Sequence, residues 1–212
     1  NDLREAIPAQ VAEARPQKIR TSWSKLHFDE QQLGYLLDGR YLPASFQVLR
    51  ENYQNLLREL SQKPVSYPLK LSLQQHAPIS PYWGRNVHIS PVPEFPSRVV
   101  KIPDPSAVEA DFQRAGWVAL DQFLAPDALE AILHFCQKST IWHDDHKAGG
   151  YLGAYIDDGF SCPLLYQVAR ELKETLPGIL GAWSLLQMWG YNHDSRCEGI
   201  GLHADSAAVN VN

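Results

Sequence analysis

Nine prolines stand between Pro64 and Pro105 of this 212-residue chain, at positions 64, 68, 78, 81, 91, 93, 96, 103 and 105. Proline lacks a backbone N–H and clashes with the preceding turn, so this stretch holds no long helix. It reads as an irregular connector with short extended pieces. Tyr82, Trp83, Val87 and Ile89 are its candidates for pinning to the rest of the chain. His76 and His88, within it, read as surface or structural histidines.

Before the connector the pattern is helical. Residues 1–28 are polar with scattered apolar positions and read as an extended arm or a short helix. Asp29 is a candidate cap for a helix through Gly39, with Leu33, Leu36 and Leu37 on one face. Pro43 suits the first turn of a second helix, in which Phe46, Leu49, Tyr53, Leu56, Leu57 and Leu60 follow helical spacing. No internal repeat is visible, so membership of a longer helical array has no support in the sequence.

After the connector, helix and strand patterns alternate. Val108–Arg114 reads as helix and Trp117–Leu120 as strand. Pro126-Asp127 opens an amphipathic helix carrying Leu129, Ile132, Leu133 and Cys136. Tyr151–Ile156 reads as strand. Ser161-Cys162-Pro163 opens a helix, with Ser161 as its candidate cap and Leu164, Leu165, Val168, Leu172 and Leu176 as its buried face. Pro177-Gly178 is expected to stop it. Ser184–Tyr191 reads as a core strand, and residues 193–199 as the turn that follows.

That turn leads into Gly199-Ile200-Gly201-Leu202-His203-Ala204-Asp205, and then Ala207–Asn212, which alternates like a strand. Residues two apart on a strand share a face, so His203 and Asp205 can converge on one metal ion. An imidazole and a carboxylate suit non-haem Fe(II), whose common site is two His and one carboxylate. A rival metal cluster is Trp142-His143-Asp144-Asp145-His146, centred on His143 and His146. Its other readings are a solvated loop, and a loop at the mouth of a site with Trp142 as an apolar wall.

The motif in this setting resembles the 2-oxoglutarate/Fe(II)-dependent oxygenases. The phrase Asp111-Phe112-Gln113-Arg114-Ala115-Gly116-Trp117-Val118-Ala119-Leu120-Asp121-Gln122-Phe123-Leu124 is similar to that family's opening strand and the entry to its first core helix, and the two occur in the expected order. The resemblance covers residues 107–212. It implies the first part of a double-stranded β-helix (jelly-roll) domain over 107–212, which with the helical extension over 1–62 and the Pro-rich connector over 63–106 makes an α+β chain. It further implies Fe(II) held by His203 and Asp205, 2-oxoglutarate as co-substrate, O2, and release of succinate and CO2. Tyr191 stands where family members often place a tyrosine that hydrogen-bonds 2-oxoglutarate; otherwise it is a core aromatic. Asn210 and Asn212 either face away from a valine-lined core or face the barrel interior and bind co-substrate.

The family's distal His and the cation that meets the co-substrate have no counterpart after His203, where the sequence contains no His, Arg or Lys. The expectation is a piece of a longer protein, one that by itself binds Fe(II) weakly and turns nothing over. The expected activity is hydroxylation of a small-molecule or peptide substrate. The alternative is a non-catalytic scaffold on the same fold.

Charge and composition narrow the classes. A net charge of −5 argues against a nucleic-acid surface. No run of about 18 apolar residues exists, so no membrane span is expected. Cys136, Cys162 and Cys197 are odd in number and widely spaced, which suggests neither a disulfide framework nor a zinc knuckle. A cytoplasmic setting is the expectation.

Overall fold

The computed structural model describes residues 19–61, 68–145, 151–193 and 205–212. Residues 1–18, His146, Cys197 and His203 lie outside the described residues, and the rest of the expected N-terminal arm, 19–28, is a short strand and the start of a helix.

Two hydrophobic cores organise the chain. The first belongs to a helix pair. Helix α1 (Trp23–Asp38) begins at Ser22, whose hydroxyl accepts the Lys25 N–H at 3.0 Å. The cap is therefore Ser22 rather than Asp29. Asp29 lies inside the helix, paired one turn away with Lys25 and accepting the Tyr53 hydroxyl at 3.1 Å. A short 3-10 turn (Ala44–Phe46) follows Pro43 and leads into α2 (Gln47–Leu60). Leu26, Leu33 and Leu36 of α1 meet Leu49, Tyr53, Leu56, Leu57 and Leu60 of α2. Arg50 Nε reaches Glu30 Oε1 across the pair at 2.9 Å. Strand β1 (Ile19–Thr21) pairs antiparallel with β2 (Leu69–Leu71), placing Leu71 in the same core.

The connector is built into both cores. A one-turn helix α3 (Leu73–His76) precedes Ile79, which is fully buried in the first core, with Trp83 and Val87 packed beside it. Val92 and Val99 enter the second core. Gln167 and Glu171 hold this part of the connector. The Gln167 amide binds Phe95 and Ser97, and Glu171 Oε2 accepts the N–H groups of Val99 at 2.8 Å and Val100 at 2.9 Å. One helix thus satisfies several buried polar groups of a chain without regular structure.

Helix α4 (Pro105–Ala115) is capped by Asp104 and ends at Gly116, whose φ of +77° is the left-handed conformation that glycine adopts readily. The strand expected over 117–120 is not formed. Trp117 is 70% exposed, and the extended pairing goes instead to Leu124, which bridges Val100. Helix α5 (Pro126–Lys138) turns Ala128 and Phe135 fully inward, with Ile132 and Cys136 packed against that core, and leaves Leu129 and Leu133 exposed. The buried stripe is rotated from the expected one because Phe135 takes the core position.

Strand β3 (Tyr151–Tyr155) pairs antiparallel with β4 (Trp189–His193). Between them lie a 3-10 turn (Ile156–Asp158), helix α6 (Pro163–Thr175) and a one-turn helix α7 (Pro177–Leu180). Helix α6 buries Leu164, Leu165 and Leu172 as expected, but Cys162 occupies its N-cap and no side chain caps it. Pro177 ends α6 by opening α7. The strand expected from Ser184 starts late. Its first pairing is Ile156 N–H to the Met188 carbonyl at 3.1 Å, and Leu185 and Leu186 before it are exposed. Residues 205–212 form bends, with the Ala207 N–H on the Asp205 carbonyl at 2.9 Å, rather than the expected strand.

The described residues are therefore mixed α and β, with two small antiparallel sheets. They do not form a double-stranded β-helix, which needs about eight strands in two sheets. Among them, no helix is long and apolar enough to cross a membrane.

Candidate functional site

The β3–β4 sheet has two unlike faces. Leu152 and Ala154 point into the second core, and Gly190, opposite Ala154, gives Phe160 room to lie against the strand. The alternate residues are Tyr151, Gly153 and Tyr155, directly opposite His193, Tyr191 and Trp189. Cross-strand partners share a face, so five aromatic rings and one bare glycine occupy the second face.

Asp144 completes this face from the other edge of β3. Its N–H bonds the Gly153 carbonyl at 3.1 Å and its carbonyl accepts the Gly153 N–H at 2.8 Å. Gly153 thus lies between Asp144 and Tyr191. A Cβ there would stand 3.2 Å from Asp144 Cβ, 3.3 Å from Asp144 Oδ2 and 3.4 Å from Tyr191 Cε1. The missing side chain is the space into which carboxylate and ring converge. The Tyr155 hydroxyl donates to Asp144 Oδ2 at 3.1 Å. Burial, the Tyr191 contact and the Asp144 charge together push the Tyr155 phenol above its ordinary range. Tyr151 packs edge-on to Tyr191 at 5.2 Å and lies 5.5 Å from the His193 ring.

The residues singled out from sequence fall in different places. Tyr191 is on this polar aromatic face. Asp205 is half-buried in the last bend, and Asn210 and Asn212 are exposed. Val209, next to Asn210, lines a groove with Phe112, Ile179 and Trp183, so the tail lies along α4 and α7. His203 is outside the described residues, so the His203–Asp205 pair has no described geometry.

The rival cluster is divided among separate tasks. Asp145 is buried and accepts both the Thr21 hydroxyl at 2.8 Å and the Ser22 N–H at 2.9 Å. Asp144 faces the sheet. Trp142 is a core residue whose indole N–H donates to the Cys136 carbonyl. His143 Nε2 meets Asn86 Oδ1 at 2.8 Å, while its Nδ1 is buried without a partner. The Asn86 amide nitrogen donates to the Asp158 carbonyl at 2.8 Å, which fixes Asn86 Oδ1 as the acceptor and puts the imidazole proton on Nε2. Among the described residues, no three His, Cys, Asp or Glu side chains are grouped to hold a metal ion.

Gly153 and Tyr155 are the site residues that sequence reasoning missed, and Asp144 was singled out only as part of the rival metal cluster. Their signal was Tyr151-x-Gly153-x-Tyr155: alternation places both tyrosines on one face with a gap between them. No family model matches the chain, and neither a curated protein nor a solved structure is similar to it.

Proposed function

We propose that the protein is a 2-oxoglutarate- and Fe(II)-dependent oxygenase that hydroxylates a small-molecule or peptide substrate. The observation that carries this reading is the position of Tyr191. It stands on the polar face of a sheet whose other face is sealed against the core, beside a second phenol and a carboxylate.

The donor types fit. His203 and Asp205 are the imidazole and carboxylate that Fe(II) takes, and Asp205 is half-buried rather than shut in the core. Fe(II) with 2-oxoglutarate and O2 would supply the oxidising chemistry, with succinate and CO2 as co-products. The chain would hold the metal through His203 and Asp205 and would offer the Tyr191 hydroxyl to a co-substrate carboxylate. The apolar layer of Leu152, Ala154 and Phe160 behind the sheet keeps water from that side.

The test is Fe(II)-dependent conversion of 2-oxoglutarate to succinate by the protein encoded by the complete gene. Turnover that disappears in His203→Ala is the expected result. Absence of both turnover and Fe(II) binding overturns the reading in favour of a scaffold, and Fe(II) binding unchanged in His203→Ala moves the metal elsewhere.

A further inference from the structure

We infer that the cavity between the helix pair and the connector is a binding site for inorganic phosphate, taken as the dihydrogen monoanion and held by Lys25, Arg85, Gln32 and His143. The site lies apart from the sheet that carries Tyr191, and the inference does not depend on the oxygenase reading.

The cavity has a volume of about 40 Å3 and is walled by Leu33 of α1, Leu49 of α2 and Trp142. At roughly 10–15 Å3 for each water it has room for about three waters, hence for one compact molecule. Four polar side chains on its lining keep bonding capacity that the fold does not use. Lys25 is 7% exposed, and its ammonium has three protons to give. One goes to Asp29, and the Trp83 ring lies 5.9 Å away, which leaves an N–H for a ligand. Arg85 is exposed and has no ion-pair partner among the described residues. Gln32 is 8% exposed, and its amide nitrogen donates to the Ser139 carbonyl at 2.9 Å. Its Oε1 is thereby the group left to accept, and it accepts nothing from the described residues. His143 is fixed in the same way, with its proton on Nε2 against Asn86 and a buried Nδ1 that has no partner among the described residues.

The lining therefore offers two cationic donors and two neutral acceptors. Asp29 offsets one of the two positive charges, and both of its oxygens are engaged, by Lys25 and by the Tyr53 hydroxyl at 3.1 Å. The complement is a compact monoanion with two bare oxygens and two O–H groups. Dihydrogenphosphate has that form and is abundant in neutral phosphate solution. Sulfate matches it in size but has no proton to give, so its oxygens would meet the Gln32 and His143 lone pairs with no bond made.

The experiment is calorimetric titration of the full chain with phosphate and with sulfate, without Fe(II) or 2-oxoglutarate, so that its outcome is separate from turnover. Phosphate is expected to bind at least about tenfold more tightly than sulfate, the size of one or two hydrogen bonds. Arg85→Gln alters an exposed side chain and should weaken both anions about fivefold or more, with little change in their ratio. His143→Phe keeps a ring and removes the acceptor, and the preference for phosphate should shrink about fivefold. If that variant does not fold, the wild-type ratio and Arg85→Gln still decide. Equal binding of phosphate and sulfate means an adventitious ion only and overturns the site. So does a lack of phosphate binding, or phosphate binding unchanged in Arg85→Gln. Methyl phosphate has one O–H fewer and should bind more weakly than phosphate; tighter binding would overturn free phosphate as the ligand in favour of a phosphate monoester.

Discussion

Asp144 and Gly153 exchange both of their backbone hydrogen bonds, at 3.1 and 2.8 Å, so the Asp144 side chain rises over a residue that has none. The contact is closed on that side, since a Cβ on Gly153 would be 3.2 Å from Asp144 Cβ and 3.4 Å from the Tyr191 ring. Gly153→Ala is therefore expected to destabilise by about 1–3 kcal/mol, the usual cost of overpacking. Urea unfolding measures the loss.

A second prediction concerns the carboxylate that holds the connector. Burial alone would raise Glu171, but the Val100 and Val99 amides, Gln167 and Arg98 outweigh it and hold the group below its usual range. Glu171→Ala leaves two buried N–H groups without an acceptor and should cost about 2–4 kcal/mol. Glu171→Gln keeps one acceptor oxygen and should cost less. Equal stability of wild type and Glu171→Ala in urea would contradict the clamp. The folded carboxyl is depressed, so its contribution is present above the ordinary value of 4.5 and is lost as pH falls through the folded value.

Histidine sets a different pH window. Burial lowers the His143 pKa and the Lys25 charge adds to this, against the smaller opposing pull of Asp158 and Asp29. Burial also lowers His76, and burial with the Lys138 charge lowers His88. A histidine depressed in the folded state takes up its proton first when unfolded. Stability is therefore complete above the ordinary value of 6.5 and falls as pH drops below it toward the folded value. Urea midpoints should decline between about pH 7 and pH 5, ahead of the carboxylate limb. His143→Gln should flatten part of that slope, with the remainder belonging to His76 and His88. A slope identical to wild type would show that the His143 imidazole is not buried neutral.

Metal binding follows the motif. His203→Ala and Asp205→Ala should each weaken Fe(II) binding by about 10-fold or more, whereas His143→Ala should leave it unchanged. Calorimetric titration under anaerobic conditions reads all three, and the reverse order would transfer the metal to the loop around His143.

Cysteine reactivity supplies a fifth test. Burial, with the nearby Cys162, pushes the Cys136 thiol up to about 11, and burial raises Cys162. Only thiolates alkylate readily, so both should resist iodoacetamide in the native state at neutral pH and react on unfolding. Mass spectrometry after a short pulse distinguishes the two states.

Apolar periodicity made the helices readable. Leu49, Tyr53, Leu56, Leu57 and Leu60 repeat with the helical turn, and every one of them is buried. Ends were less readable, because Ser22 and Asp29 are both good capping types and only packing chose between them. Strands failed where a strand needs a partner. Trp117–Leu120 and Ser184–Gln187 have suitable residues but no ladder, since pairing depends on what lies opposite and not on propensity. Tyr191 was singled out from its place before the motif. Asp144 was named only within the rival metal cluster, because its contacts come from Gly153 and Tyr155, neighbours that only the fold brings together.

Thr21 and Ser22 fasten to Asp145 across a sequence separation of more than 120 residues. On the ribosome, α1 and α2 emerge with everything that their own pairing requires, while the acceptor that closes the start of α1 is still untranslated. Gln32, which donates to the Ser139 carbonyl, waits in the same way. Order of emergence thus becomes order of closure: the helix pair assembles first from local contacts, and β1 is locked only after Asp145 has followed. For that interval the nascent chain presents Phe28, whose eventual neighbour is Trp142, to solvent or to a chaperone.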